Sequence, residues 1–196
     1  MKRLSLYLFL ILFTLQTPSQ ADDIRDFQIE GMSIGESLLD YMSENEIKKN
    51  KRNYVKNRKY YVVGEGVLNL KTYDQMDIYL KSGDETYEIK SLSGVLIISG
   101  KKCLDKKNEI VNELKQLFKN IKVVNYKDTP HVYDKTGKSI QQQTGFLLKN
   151  DDMKDNIRVE CTDWSKKIEK KKNWRDNLSV SATTTEVYNW IYSGYK

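Results

Sequence analysis

Through the middle of the chain, polar and apolar residues alternate with the period of an extended strand. Met76, Ile78 and Leu80 interleave with Gln75, Asp77, Tyr79 and Lys81, which predicts a half-buried strand. The turn-forming run Ser82-Gly83-Asp84-Glu85 follows, so Thr86 to Lys90 is read as the returning arm of a hairpin. Tyr60 to Val63, Gly94 to Ile98, Ile121 to Tyr126 and Ile140 to Lys149 are further predicted strands. In the next one Ile157, Val159 and Cys161 share a face while Arg158, Glu160 and Thr162 take the other, and Leu178, Val180 and Ala182 alternate with serines in the last.

A helical period replaces this alternation between Lys102 and Asn120. Cys103, Ile110, Leu114, Leu117, Phe118 and Ile121 fall along one face and predict a long amphipathic helix. Shorter helices are expected at both ends. Ser33 and Glu36 have capping-box spacing ahead of Ile34, Leu38, Leu39 and Met42; Ser43 and Glu46 repeat it for a helix reaching about Asn50. Thr183 and Glu186 repeat it again before Val187, Trp190 and Ile191, in a final helix stopping near Gly194. The lysine-rich stretch from Trp164 to Trp174 is read as a connector. The expected class is therefore α+β: a mainly antiparallel sheet packed by one long amphipathic helix, with short helices at both ends.

The first residues follow a different rule. Lys2 and Arg3 precede an apolar run from Leu4 to Leu15, and Ser19-Gln20-Ala21 supplies small residues around a cleavage point, the pattern of a secretory signal peptide. Residues 1–21 are expected to be removed, leaving 22–196 as a single domain with no membrane-spanning segment, because the apolar run ends at Gln16, short of the roughly 20 residues a spanning helix needs. No cysteine near the cleavage point offers a lipid attachment site.

Composition sharpens this picture at two points. The chain has 196 residues with two cysteines and one histidine, too few to build a four-ligand Cys/His zinc site. Cys103 lies on the apolar face of the predicted helix and Cys161 on the apolar face of a predicted strand. In an exported protein that arrangement predicts a Cys103–Cys161 disulfide. The formal net charge of +6 falls to +4 once Lys2 and Arg3 leave. Lysines outnumber arginines 27 to 6, a bias that AT-rich coding produces whatever the function.

Several motifs invite chemical readings. His131 stands between Asp128 and Asp134, carboxylates able to orient an imidazole. Gly137-Lys138-Ser139 imitates the end of a phosphate-binding loop, but Val132 occupies the place of its first glycine. Gly64-Glu65-Gly66 lacks the third glycine of a dinucleotide loop, where Asn69 stands. Asp151, Asp152 and Asp155 form an acidic turn without the ligand alternation of a calcium loop. No cofactor or metal is expected. The basic run Lys48, Lys49, Lys51, Arg52, Lys56, Arg58 and Lys59, and a second from Lys166 to Lys172, are candidate contacts for an anionic surface. Tyr54, Tyr60, Tyr61, Trp164 and Trp174 lie near these runs, although export disfavours nucleic acid as the partner.

The stretch Ile29-Glu30-Gly31-Met32-Ser33-Ile34-Gly35-Glu36-Ser37-Leu38-Leu39-Asp40-Tyr41 resembles a group of small exported proteins from AT-rich bacterial genomes. Tyr73-Asp74 to Leu80, Ser93-Gly94, Cys103, Asp134 to Ser139, and Cys161-Thr162-Asp163-Trp164-Ser165 extend the resemblance over most of the mature chain. It implies export and no particular activity. Gly31-Met32-Ser33 is also similar, over about ten residues, to the helix-start motif of small outer-membrane assembly lipoproteins. The expected function is a non-enzymatic periplasmic or secreted binding module for an envelope component, working through a sheet face or the basic flank. The alternative is a hydrolase or other enzyme with His131 in its site.

Overall fold

A computed structural model describes residues 23–53, 56–64, 68–119, 121–148 and 155–194. The expected signal peptide, Asp151 and Asp152, Glu65 and Gly66, and Tyr54 lie outside them.

Among the described residues the architecture is a nine-stranded antiparallel sheet. In chain order its strands are β3 (Lys51–Arg52), β4 (Tyr60–Gly64), β5 (Gln75–Lys81), β6 (Ile89–Leu96), β7 (Lys122–Asn125), β8 (Thr129–Pro130), β9 (Ile140–Leu148), β10 (Asp155–Asp163) and β11 (Asn177–Thr183). Across the sheet they run β3-β4-β5-β6-β11-β10-β9-β7, with β8 also pairing β9. A separate hairpin, β1 (Gln28–Ile29) and β2 (Met32–Ser33), precedes them, and helices α1 (Glu44–Lys49), α2 (Gly100–Leu117), α3 (Lys166–Lys172) and α4 (Thr185–Ser193) complete the fold.

Register explains the two faces. Ile157, Val159 and Cys161 stand opposite Ala182, Val180 and Leu178, which continue through β6 and β5 to Leu92, Ile78 and Met76. These side chains belong to the principal core, which also takes Ile24, Ile29, Met32, Ile34, Leu38, Met42 and Ile47 from the first described residues and Cys103, Val111 and Leu114 from α2. On the opposite face, Tyr60, Val62 and Tyr79 pack under Val187 and Trp190 of α4 in a smaller cluster. Gly94 allows one close approach: a Cβ there would lie 2.6 Å from the Tyr73 ring.

The expected α+β arrangement around one long amphipathic helix is overturned. Among the described residues the chain is mostly sheet; α2 has only 18 residues, and no single long helix packs clearly over the sheet. Its covalent link is the Cys103–Cys161 disulfide, joining its first turn to β10.

The helix expected over Ile34 to Met42 is also absent. Glu30, Gly31 and Gly35 adopt positive φ values of 54°, 82° and 92°, which break a helix there. The backbone pairs with a distant segment instead: the Gly35 amide donates to the Ile89 carbonyl at 2.9 Å, Ile89 to Glu36 at 2.8 Å, and Leu38 to Tyr87 at 3.0 Å. Only a 3-10 turn, Leu38–Asp40, remains. Gly31-Met32-Ser33 therefore forms part of the β1–β2 hairpin and not a helix start. At its tip, Glu30 accepts hydrogen bonds from the amides of Lys71, Thr72 and Tyr73, at 2.9, 2.6 and 3.1 Å. That carboxylate fastens the hairpin to the loop before β5.

The other capping signals divide. Ser43 and Glu46 form both halves of a capping box on α1. α4 starts at Thr185 after Thr184, without a side-chain cap, while Glu186 instead accepts from the Tyr60 hydroxyl at 2.6 Å.

Candidate binding surface at Trp174

Two segments read separately in the sequence meet in space. One is the loop from Asp128 to Ser139; the other runs from the end of β10 through α3 to Asp176. The expected connector after Trp164 contains α3, whose single buried apolar residue is Ile168. So little apolar periodicity among lysines hides a helix from pattern reading.

Asp134 ties the segments together. One carboxylate oxygen accepts from the Thr136 amide and hydroxyl, at 3.0 and 2.7 Å. The other accepts from the Ser139 amide at 3.1 Å, the Ser139 hydroxyl at 2.6 Å and the Ser165 hydroxyl at 2.7 Å. The Ser165 amide in turn donates to the Ser139 hydroxyl at 3.0 Å. Hydrogen bonds from Ser139, Thr136 and Ser165 outweigh desolvation and hold the Asp134 carboxyl far below the usual carboxylate range. Ser139 is thus structural: the Gly137-Lys138-Ser139 run is folded around a carboxylate of its own chain.

His131 is engaged as well. Its Nδ1 accepts from the Tyr133 amide at 3.1 Å, and its ring centroid lies 4.3 Å from that of Trp164. Burial pushes its pKa down to about 4, with Asp134 opposing the shift. Asp128 accepts from the Gln142 side-chain amide at 2.8 Å. Neither carboxylate is hydrogen-bonded to His131 among the described residues, so the dyad needed to orient the imidazole is not assembled.

An aromatic chain rests on this knot. Trp164 and Trp174 have centroids 4.7 Å apart, as do Trp174 and Tyr133, and Lys172 Nζ lies 5.4 Å from the Tyr133 centroid. The Trp164 amide donates to Asp176 at 2.8 Å, and burial raises the carboxyl pKa of Asp176. Left-handed Asn173, φ 56°, ends α3 and turns the chain into Trp174. Trp164 is buried at 7% exposure, whereas Trp174 presents 37% of its surface. The cluster is therefore anchored inside and open at one ring.

The first basic run is built differently. Lys48 pairs with Glu44 at 2.7 Å, Arg52 with Asp77 at 2.9 Å, and Lys59 reaches Glu186 at 3.9 Å. Lys51 sits 4.1 Å from the Tyr61 centroid. Lys49, Lys56 and Arg58 are exposed without an ion-pair partner among the described residues. Much of this run's charge is thus met by its own chain. Asp155, from the acidic turn, receives the Thr185 amide at 3.2 Å and steadies α4.

Sequence reading missed Tyr133, Ser139 and Ser165 as partners of the cluster. Their only local signal is Asp134 followed at two and five residues by hydroxyl side chains, an Asx-type pattern that common loops share. Ser165 is 31 residues from Asp134, beyond any local rule. The described residues contain no metal-ligand cluster and no helix long and apolar enough to cross a membrane. No family model, curated protein or solved structure matches the chain.

Proposed function

We propose that the chain is a non-enzymatic binding module, exported to the periplasm or beyond, that engages an envelope component. The supporting observation is the use made of the His131 loop. The groups that a hydrolase would recruit are spent on holding this loop and α3 beneath an exposed aromatic surface. Asp134 receives five donors, Asp128 one and His131 Nδ1 another. Such a scaffold preorganises a surface for recognition. Export is supported by the signal-like first residues, by the resemblance to small exported proteins, and by a disulfide suited to an oxidising compartment.

Fractionation tests both halves of the proposal. Cells expressing the full chain should yield a protein starting at Asp22 in the periplasmic or secreted fraction, and the purified protein should co-sediment with washed envelope fragments. A cytoplasmic protein that retains residues 1–21 refutes export. Failure to co-sediment refutes envelope binding.

A further inference from the structure

We propose that the surface around Trp174 binds an acidic polysaccharide, with a sugar ring against the indole and carboxylate or phosphate groups against the surrounding cations. This rests on the binding-module reading and names its ligand.

The indole is set in advance. Trp164 and Tyr133 flank it, at 4.7 Å each, and the hydrogen bonds of Asp134 fix the segments that carry them. A ring already immobilised loses little side-chain freedom when a ligand stacks on it. Its electron-rich face attracts the polarised C–H bonds on the apolar face of a pyranose, and the sugar hydroxyls remain in water.

Cations surround that ring, of which Lys172 already lies over Tyr133. Lys170, Lys171, Lys172 and Arg175 flank Trp174 in the chain, and Lys135 and Lys138 occupy the facing loop; all six are exposed. Of the nearby acids, Asp134 takes hydroxyl and amide donors, Glu169 pairs with Lys166 at 2.7 Å and Asp176 takes the Trp164 amide, while exposed Asp163 adds one negative charge near Asp176. By contrast, Lys48, Arg52 and Lys59 of the first basic run each meet a carboxylate. At Trp174 an open ring and exposed cations occur together.

Ring geometry favours a saccharide over single-stranded nucleic acid. Successive bases need successive platforms. Here one indole is open, and its neighbours are tilted by 51° and 53°.

The test uses the full mature protein, with polygalacturonate as the acidic probe and its fully methyl-esterified form as the neutral control, at about 0.15 M salt. Affinity electrophoresis and tryptophan fluorescence should detect binding to polygalacturonate, weakened about tenfold or more by the neutral control and by W174A. W174Y keeps a ring and should retain affinity within about threefold of the wild type. It also separates loss of the platform from loss of the fold, which circular dichroism checks for each variant. Equal binding by wild type and folded W174A overturns the proposal in favour of polyelectrolyte attraction alone. So does binding of oligo-dT or of phosphatidylglycerol vesicles more tightly than polygalacturonate. If wild type and W174A sediment equally with envelope fragments, this proposal fails while the binding-module reading stands; if neither sediments, that reading fails too.

Discussion

Replacing both Cys103 and Cys161 with alanine should lower stability by about 4 kcal/mol at 25 °C. The bond links positions 58 residues apart. In the chain-entropy model, opening a loop of that length returns about 14 cal/mol/K to the unfolded ensemble, hence the figure. Both cysteines are buried, at 3% and 5% exposure, so lost packing adds to the entropic effect. In a domain of this size the melting temperature should fall by about 8–16 °C. Urea unfolding followed by tryptophan fluorescence supplies the free energy. The slope must be fitted and not assumed, because an uncrosslinked chain unfolds to a more expanded state and exposes more surface. A double variant within about 1 kcal/mol of wild type would refute the reasoning and place the stability of the α2–β10 junction in its non-covalent contacts.

Two further perturbations probe packing and protonation. G94A drives a methyl group to 2.6 Å from the Tyr73 ring and should cost about 1–3 kcal/mol in urea unfolding; adding Y73A should recover part of that loss, and strict additivity would contradict the contact. His131 has its folded pKa lowered from 6.5 to about 4, so the unfolded chain binds the proton first. The associated stability is fully present above pH 6.5 and is lost as pH falls toward 4, by at most about 3 kcal/mol. H131F should flatten stability measured across that window. Asp134 acts lower on the scale: its folded pKa is depressed from 3.8, so its contribution is lost only below that value and survives in H131F.

Where side-chain alternation was the signal, the strands were legible in the sequence. The predicted β5, β9, β10 and β11 lie within a residue or two of their observed bounds because their two faces differ in polarity, even in β10, where Asn156, Glu160 and Thr162 are buried opposite the apolar face. The pairing of Cys103 with Cys161 was legible for the same reason, since both were assigned to apolar faces. The first described segment misled because Ile34, Leu38, Leu39 and Met42 keep a helical spacing. Their backbone is nevertheless set by positive φ at Glu30, Gly31 and Gly35 and by bonds to residues 87 and 89. The expected strands Thr86 to Lys90 and Gly94 to Ile98 meet in one, β6, which takes residues 89–96 and leaves 86–88 and 97–98 outside, and the polar serines between them face the opposite side of the sheet. Of the surface at Trp174, its members His131, Asp134, Trp164 and Trp174 were visible as residues. Their convergence was not, because it depends on β9 and β10 pairing and on Ser165 crossing to Asp134.

The Glu30 latch has a consequence for the order in which the chain can become ordered. Glu30 waits for amides at 71–73, and Gly35 and Leu38 wait for residues 89 and 87. Ile24, Ile29, Met32, Ile34 and Leu38 wait longer still, for a core completed by β10 and β11. During synthesis Ile24 to Leu38 emerge before the strands that bury them. Until the sheet is complete the chain carries an apolar segment open to aggregation.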